Sequence, residues 1–222
     1  MNITVGDHLL TTTRGVRRRL DFKRPVEPEV IGKCIELALQ APVGSLAQKR
    51  HFIVITDPKK RRAISDLYGR ACYPYLEARQ KLADEYGEAD PRGTLITHNL
   101  AIARFQADHL HEVPVLIILA IEGRVEGQGV MEQASLYGSI LPAAWSLMLA
   151  LRSRGLGSCW TTLHLQYERE AAKVLGIPDN VTQAVLLPVA YFTGADFKPA
   201  ARLPMAEQVH WDSWGNHRRR TT

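Results

Sequence analysis

The stretch from Tyr137 to Thr162, YGSILPAAWSLMLALRSRGLGSCWTT, constrains this 222-residue chain more than any other. From Ile140 to Leu151 it is apolar on nearly every side, which describes either a membrane span or the centre of a sizeable core. The run is about 12 residues, against the roughly 20 that a bilayer requires, and Arg152 and Arg154 close it. The stretch therefore predicts a core helix. A glycine-punctuated exit, Gly155-Leu156-Gly157, then leads to small and hydroxyl residues suited to lying against a flat ligand. A chain of this length can surround such a helix with one α/β domain or two small ones.

Composition narrows what the surroundings do. Hydrophobic residues make up 45%, too many for disorder and normal for a globular protein. The formal charge of +5 falls in discrete clusters, Arg14–Arg19, Lys59–Arg62 and Arg218–Arg220. No nucleic-acid motif accompanies them, so no nucleic-acid partner is expected. The three cysteines lack CxxC spacing and metal-ligand neighbours, which predicts reduced thiols. No leader pattern opens the chain, and a cytoplasmic location is expected.

The densest cluster is TTTRGVRRRL, with Arg14, Arg17, Arg18 and Arg19 around Gly15. It is either a solvated basic turn, with Asp21 neutralising one arginine, or an anion clamp in which guanidinium forks meet phosphate oxygens and Gly15 lets the backbone approach. After a short helix at Val5–Leu10, further helices are expected over residues 25–41, over Lys59–Arg70, from Met131 and over Tyr167–Leu175, the last closed by Gly176. Strands are expected at His51–Thr56, Glu112–Ile121 and Ala184–Thr193, with Pro188 moving the last toward an edge. Residues 73–108 read as a polar helical excursion outside the main core, and residues 194–222 as an extended arm. The whole is expected to be a single domain.

Several chemistries are missing. There is no Walker loop, GxSxG, HExxH or paired Cys/His pattern, and the Gly155/Gly157 pair follows a helix rather than a strand, so it is not a dinucleotide fingerprint. Neither a metal site nor a catalytic side chain is expected. If the chain is an enzyme, an organic cofactor carries the chemistry.

Four ordered pieces resemble the nitroreductase superfamily of FMN-dependent oxidoreductases: TTTRGVRRRLDFKRPV, APVGSLAQKRHFIVITDP, SILPAAWSLMLALRSRGLGSCWTT and AARLPMAEQVHWDSWG. The resemblance implies an α+β fold, a three-layer α/β/α sandwich on a central mixed or antiparallel sheet, assembled as a homodimer through the C-terminal arm. It implies that Arg14, Gly15, Arg17, Arg18 and Arg202 hold the FMN phosphate. It places Gly44, Ser45, Leu46 and Gln48 beside the ring and ribityl chain, Ser139 and Pro142 on a helix turn near the ring, and Gly157, Ser158, Thr161 and Thr162 along the flavin.

The chain departs from the family pattern at Leu46, where Asn is usual, at Val43 for Ser, at Lys49-Arg50 for Pro-Trp, and at Ala200 for Lys. Leu46 cannot hydrogen-bond a flavin edge. Lys49 and Arg50 are candidates to reach an anionic substrate or the cofactor, and Arg18 or Arg19 to replace the missing lysine. The implied activity is ping-pong hydride transfer from NAD(P)H through the flavin to a nitro, quinone or related electrophilic small molecule, with NADPH slightly favoured. The departures keep open a flavin-dependent dehydrogenase or oxidase that tailors a metabolite, or a flavin-binding protein without turnover.

Overall fold

The computed structural model describes residues 2–44, 49–86 and 90–217. Ser45, Leu46 and Gln48, as well as Arg218–Arg220, lie outside the described residues. The chain divides into two compact units, residues 13–195 and a smaller one formed by residues 1–12 with 196–222.

The larger unit is built on a four-stranded sheet of order β1 (Arg50–Ile55), β2 (Val115–Glu122), β4 (Val181–Tyr191) and β3 (Leu156–Ser158). Every pairing is antiparallel. The continuous apolar runs of β2 and β4 are explained by their central places, where both faces are buried. One face, with Val115, Ile117, Leu119 and Ile121 of β2 and Val185, Leu187 and Val189 of β4, packs in one cluster with α2 (Pro28–Ala38) and α5 (Val130–Arg152). The alternate residues Leu116, Ile118 and Leu186 are buried too, so the opposite face is also covered.

Pro188 departs from its expected place. It stands in β4, an interior strand, opposite Leu116 of β2. Leu186 exchanges backbone hydrogen bonds with Thr161, so Pro188, two residues on, directs its missing N–H to that same side. There β3 has already ended at the Ser158–Val189 pair, and no ladder bond is lost.

The long helices also differ from expectation. Instead of stopping near Arg70, α3 runs from Pro58 to Tyr86 with Pro74 inside it. Its buried stripe of Ile64, Tyr68, Ala71, Cys72, Leu76 and Ala83 continues through the proline at helical spacing. Pro74 deprives only the Arg70 carbonyl of its helical partner, and both residues lie on the exposed side, where water replaces that bond. α4 (Pro91–His109) follows, its N-terminus capped by the Asp90 side chain on the Arg92 N–H, and it packs along α3. The polar excursion is thus an antiparallel helix pair.

α5 carries Leu136, Ile140, Ala143, Ala144, Leu147, Met148 and Leu151 into the core, as its composition required. Tyr137 and Trp145 on another side are exposed, so this helix is apolar all round yet buried on one side only. Gly155 (φ 76°) turns the chain into β3, and Gly176 (φ 72°) ends α6 (Glu168–Leu175) in the left-handed conformation glycine adopts freely.

The smaller unit holds α1 (Ile3–Thr12) and α7 (Met205–Gln208). Within it His8 Nε2 meets Asp196 Oδ2 at 2.8 Å, and the His210 ring stacks on Trp214 with centroids 4.2 Å apart.

Candidate functional site

The arginine segment is mounted on the edge of the sheet. Val16 N–H donates to the Ser158 carbonyl at 2.9 Å, Asp21 N–H to Tyr191 at 2.7 Å, and Thr193 N–H to the Arg19 carbonyl at 2.8 Å. Residues 15–21 therefore lie along β3 and the end of β4, which brings Gly15 beside Ser158. Gly157 makes this approach possible. A Cβ there would stand 2.9 Å from the Val16 Cβ and 2.9 Å from a Leu20 methyl. The glycine exit that the sequence left unexplained is a seat for the arginine segment.

The arginines then divide by partner. Arg19 donates from Nε to the Thr193 carbonyl at 2.7 Å, reaches the Ala195 carbonyl, and covers the Phe192 ring. It is a strut, so it does not stand in for a lysine at position 200. Arg17 donates from Nε to the Gln106 amide oxygen at 2.6 Å, and Arg18 lies over the Phe105 ring at 6.0 Å. Among the described residues neither has a carboxylate partner, and Arg18 is exposed. Arg14 is half-buried in the same segment. Among the described residues Asp21 pairs with no arginine. Its carboxylate accepts the backbone N–H groups of Lys23 and Arg24 and closes a turn.

The second and third motifs also meet. Gly44 N–H donates to Ser139 Oγ at 3.0 Å, and Ser139 Oγ–H donates to the Ser135 carbonyl at 2.7 Å. Ser139 is fully buried and joins the loop after α2 to α5, one turn before Pro142. Thr161 exchanges both backbone hydrogen bonds with Leu186, and its hydroxyl donates to Tyr68 Oη at 3.3 Å. Its polar groups hold the segment after β3 in place, while Thr162 is exposed. Arg202 belongs to the smaller unit, where it is exposed and donates to the Ala201 carbonyl.

Both basic residues that follow the loop have protein partners. Arg50 donates to the carbonyls of Leu39 (2.9 Å) and Ala41 (3.0 Å), so it closes the C-terminal end of α2 rather than reaching for a ligand. Lys49 faces Glu122 at 3.7 Å. The three cysteines are free and buried, and burial pushes each thiol up from its ordinary pKa. At Cys159 the Arg17 guanidinium opposes that shift.

Two groups escaped the sequence reading. Gln106 and Tyr68 are buried behind Arg17, but a lone Gln on a polar helix and a Tyr on an apolar stripe carry no motif. His164 is fully buried with neither ring nitrogen partnered among the described residues, and desolvation pushes its pKa down to about 4 against a weaker pull from Glu168.

An antiparallel sheet between helices, with arginines presented along its β3 edge, defines an α+β protein with a cationic site beside the exit of its central helix. The Nitroreductase family model matches residues 11–191, and the chain belongs to that family. It is 26% identical over 205 residues to 5,6-dimethylbenzimidazole synthase of Rhodospirillum rubrum, covering 88% of this chain and 84% of the relative. The fold matches that of an iodotyrosine deiodinase crystallised with FMN and 3-iodo-L-tyrosine (TM-score 0.64, 23% identity, 88% of this chain and 92% of the other). It also matches a BluB-like flavoprotein from Clostridium difficile 630 (TM-score 0.65, 18% identity, 94% and 99%).

Proposed function

We propose that this chain is an FMN-dependent oxidoreductase. One observation carries the reading. Arg17 and Arg18 project from a segment pinned to β3, and among the described residues they meet only a neutral amide and an aromatic ring. A cationic pair without carboxylates suits a phosphate dianion, and the residues present therefore fit the group. Arg14, Arg17 and Arg18 would hold the phosphate, and Gly15 would leave the backbone open to it. The loop at Gly44 and the segment Gly157–Thr162 would bound the ring, with Ser139 fixing the loop and Thr161 fixing the segment.

Bound FMN would supply reversible hydride chemistry, with NAD(P)H as reductant and an electrophilic small molecule as acceptor. The protein's own part is electrostatic and steric. Arginines stabilise the anionic group, and the buried wall of α5 keeps water from one side of the site. No proton-transfer side chain is assigned. The reading includes a homodimer in the cytoplasm, with no nucleic-acid or membrane partner.

A second reading has its own support. The 26% match to a 5,6-dimethylbenzimidazole synthase spans most of both chains, which favours a flavin-dependent step on a metabolite as much as reduction of nitro compounds. Leu46 adds to it, because a flavin edge without the usual amide partner is held differently.

The experiment is an absorbance spectrum of the purified protein with FMN titration, followed by anaerobic titration with NADH and NADPH. A yellow protein reduced by a nicotinamide and reoxidised by a nitro or quinone acceptor supports the first reading. Flavin uptake with slow nicotinamide reduction, and reduction of the bound flavin by a candidate metabolite, supports the second. A colourless protein that takes up no FMN overturns both.

A further inference from the structure

The Arg17 guanidinium is held from behind by a short buried relay. Its Nε–H donates to Gln106 Oε1 at 2.6 Å, Gln106 Nε2 donates to Tyr68 Oη at 3.3 Å, and Thr161 Oγ1 donates to the same oxygen at 3.3 Å. Gln106, Tyr68 and Thr161 are all buried. An arginine only donates, so Gln106 must turn its oxygen to Arg17 and its nitrogen to Tyr68, which fixes the amide plane. Tyr68 must then accept as a neutral phenol, and burial pushes its pKa up, away from ionisation.

The choice of an amide matters. A carboxylate at 106 would neutralise the guanidinium, and an apolar side chain would leave its part-buried Nε–H without this acceptor. The amide orients the charge and leaves it undiminished. The neighbouring pair repeats the arrangement, with Arg18 over Phe105, whose ring lies 4.4 Å from that of His109 and 6.4 Å from that of Phe22. Successive arginines thus meet successive residues of α4, the helix that sequence reading placed outside the core.

We propose that Gln106, backed by Tyr68 and Thr161, is a positioning residue that aims the Arg17 guanidinium at the FMN phosphate, so that α4 sets cofactor affinity without touching the cofactor. The inference rests on the FMN reading above. It also ties the two halves of the site together, since Thr161 anchors the segment assigned to the ring and Arg17 the phosphate.

The test compares FMN with riboflavin, which lacks the phosphate, by flavin-fluorescence titration of the apoprotein. Arg17→Ala should weaken FMN binding and leave riboflavin binding unchanged. Gln106→Met, similar in volume but without the acceptor, should weaken FMN by about tenfold, the order of one charge-assisted hydrogen bond, again sparing riboflavin. In an Arg17→Ala background, Gln106→Met should add no further loss. Gln106→Glu is the second variant if the first does not fold. It keeps the acceptor, cancels the charge, and should weaken FMN alone. FMN affinity unchanged in the folded Gln106 variants, or equal losses for FMN and riboflavin, overturns the positioning role while Arg17→Ala still discriminates. If Arg17→Ala itself keeps the wild-type ratio of the two affinities, the phosphate assignment and this inference fall together.

Discussion

The Cβ of Val16 lies 2.9 Å from where a Cβ on Gly157 would be, and a Leu20 methyl lies equally close. These neighbours are in the arginine segment, and Val16 N–H is also bonded to Ser158, the next residue of β3. Gly157→Ala must therefore push that segment off the sheet edge. The expected cost is about 1–3 kcal/mol, as for overpacked cores, measured by urea denaturation. FMN affinity should fall with it, because Arg14, Arg17 and Arg18 ride on the displaced segment. Wild-type stability and affinity in Gly157→Ala would show that the segment is not seated as described.

His164 makes stability depend on pH in a defined window. Its folded pKa is depressed to about 4 from 6.5, chiefly by desolvation, so the folded protein holds it neutral while the unfolded chain protonates it below 6.5. The unfolded state then binds the extra proton. Stability is full above pH 6.5 and is lost as pH falls toward 4, by about 3 kcal/mol over the window. Carboxylates add their own acid dependence in every variant, so the informative quantity is a difference. His164→Leu should flatten the loss between pH 6.5 and 4 relative to wild type in denaturation series. Parallel curves would mean that His164 is protonated in the folded protein.

The central helix, the three long strands and the arginine cluster were legible in sequence because each is a local pattern. Ile140–Leu151 is apolar all round, β2 is a continuous buried run, and four arginines crowd one glycine. Two kinds of feature were not legible. α3 continues through Pro74 because its buried stripe from Ile64 to Ala83 outweighs one lost hydrogen bond, and local reading gives a proline too much weight. Arg50, Arg19, Gln106 and His164 take their meaning from partners distant in sequence. Arg19 meets Thr193 and Arg17 meets Gln106, separations that no spacing rule connects. The same limit made Arg50 look ligand-facing when its fork closes α2.

Arg124 and Glu168 form a two-pronged ion pair, with Nη1–Oε1 and Nη2–Oε2 both at 2.8 Å. Glu168 Oε1 also accepts the Gln183 N–H at 2.9 Å, and Arg124 donates to the Val181 carbonyl, so the pair fastens α6 to the start of β4. Hydrogen bonds donated to Glu168 and Glu126 raise the Arg124 pKa against desolvation. Both side chains are largely buried, so removing Arg124 leaves the Glu168 charge uncompensated, and removing Glu168 leaves Arg124 only the exposed Glu126 carboxylate. Glu168→Ala should cost about 2–4 kcal/mol, and the Arg124→Ala/Glu168→Ala double variant less than the sum of the singles. Additive losses in denaturation would show that the two residues act independently.

The exposed side of α5 bears on assembly. Val130, Tyr137 and Trp145 recur at spacings of 7 and 8 and so share one helix face, and all three are exposed, Val130 at 85% and Trp145 at 40%. Met131, beside Val130, is exposed as well. The proposed homodimer gives this exposed apolar face an occupant, a second copy of the chain. Trp145→Glu places a charge in that face and leaves the core residues Ala144, Leu147 and Met148 untouched. The wild-type protein should sediment as a dimer at micromolar concentration and the variant as a folded monomer with unchanged far-UV circular dichroism. A wild-type monomer, or a dimer that Trp145→Glu leaves intact, would remove α5 from the interface.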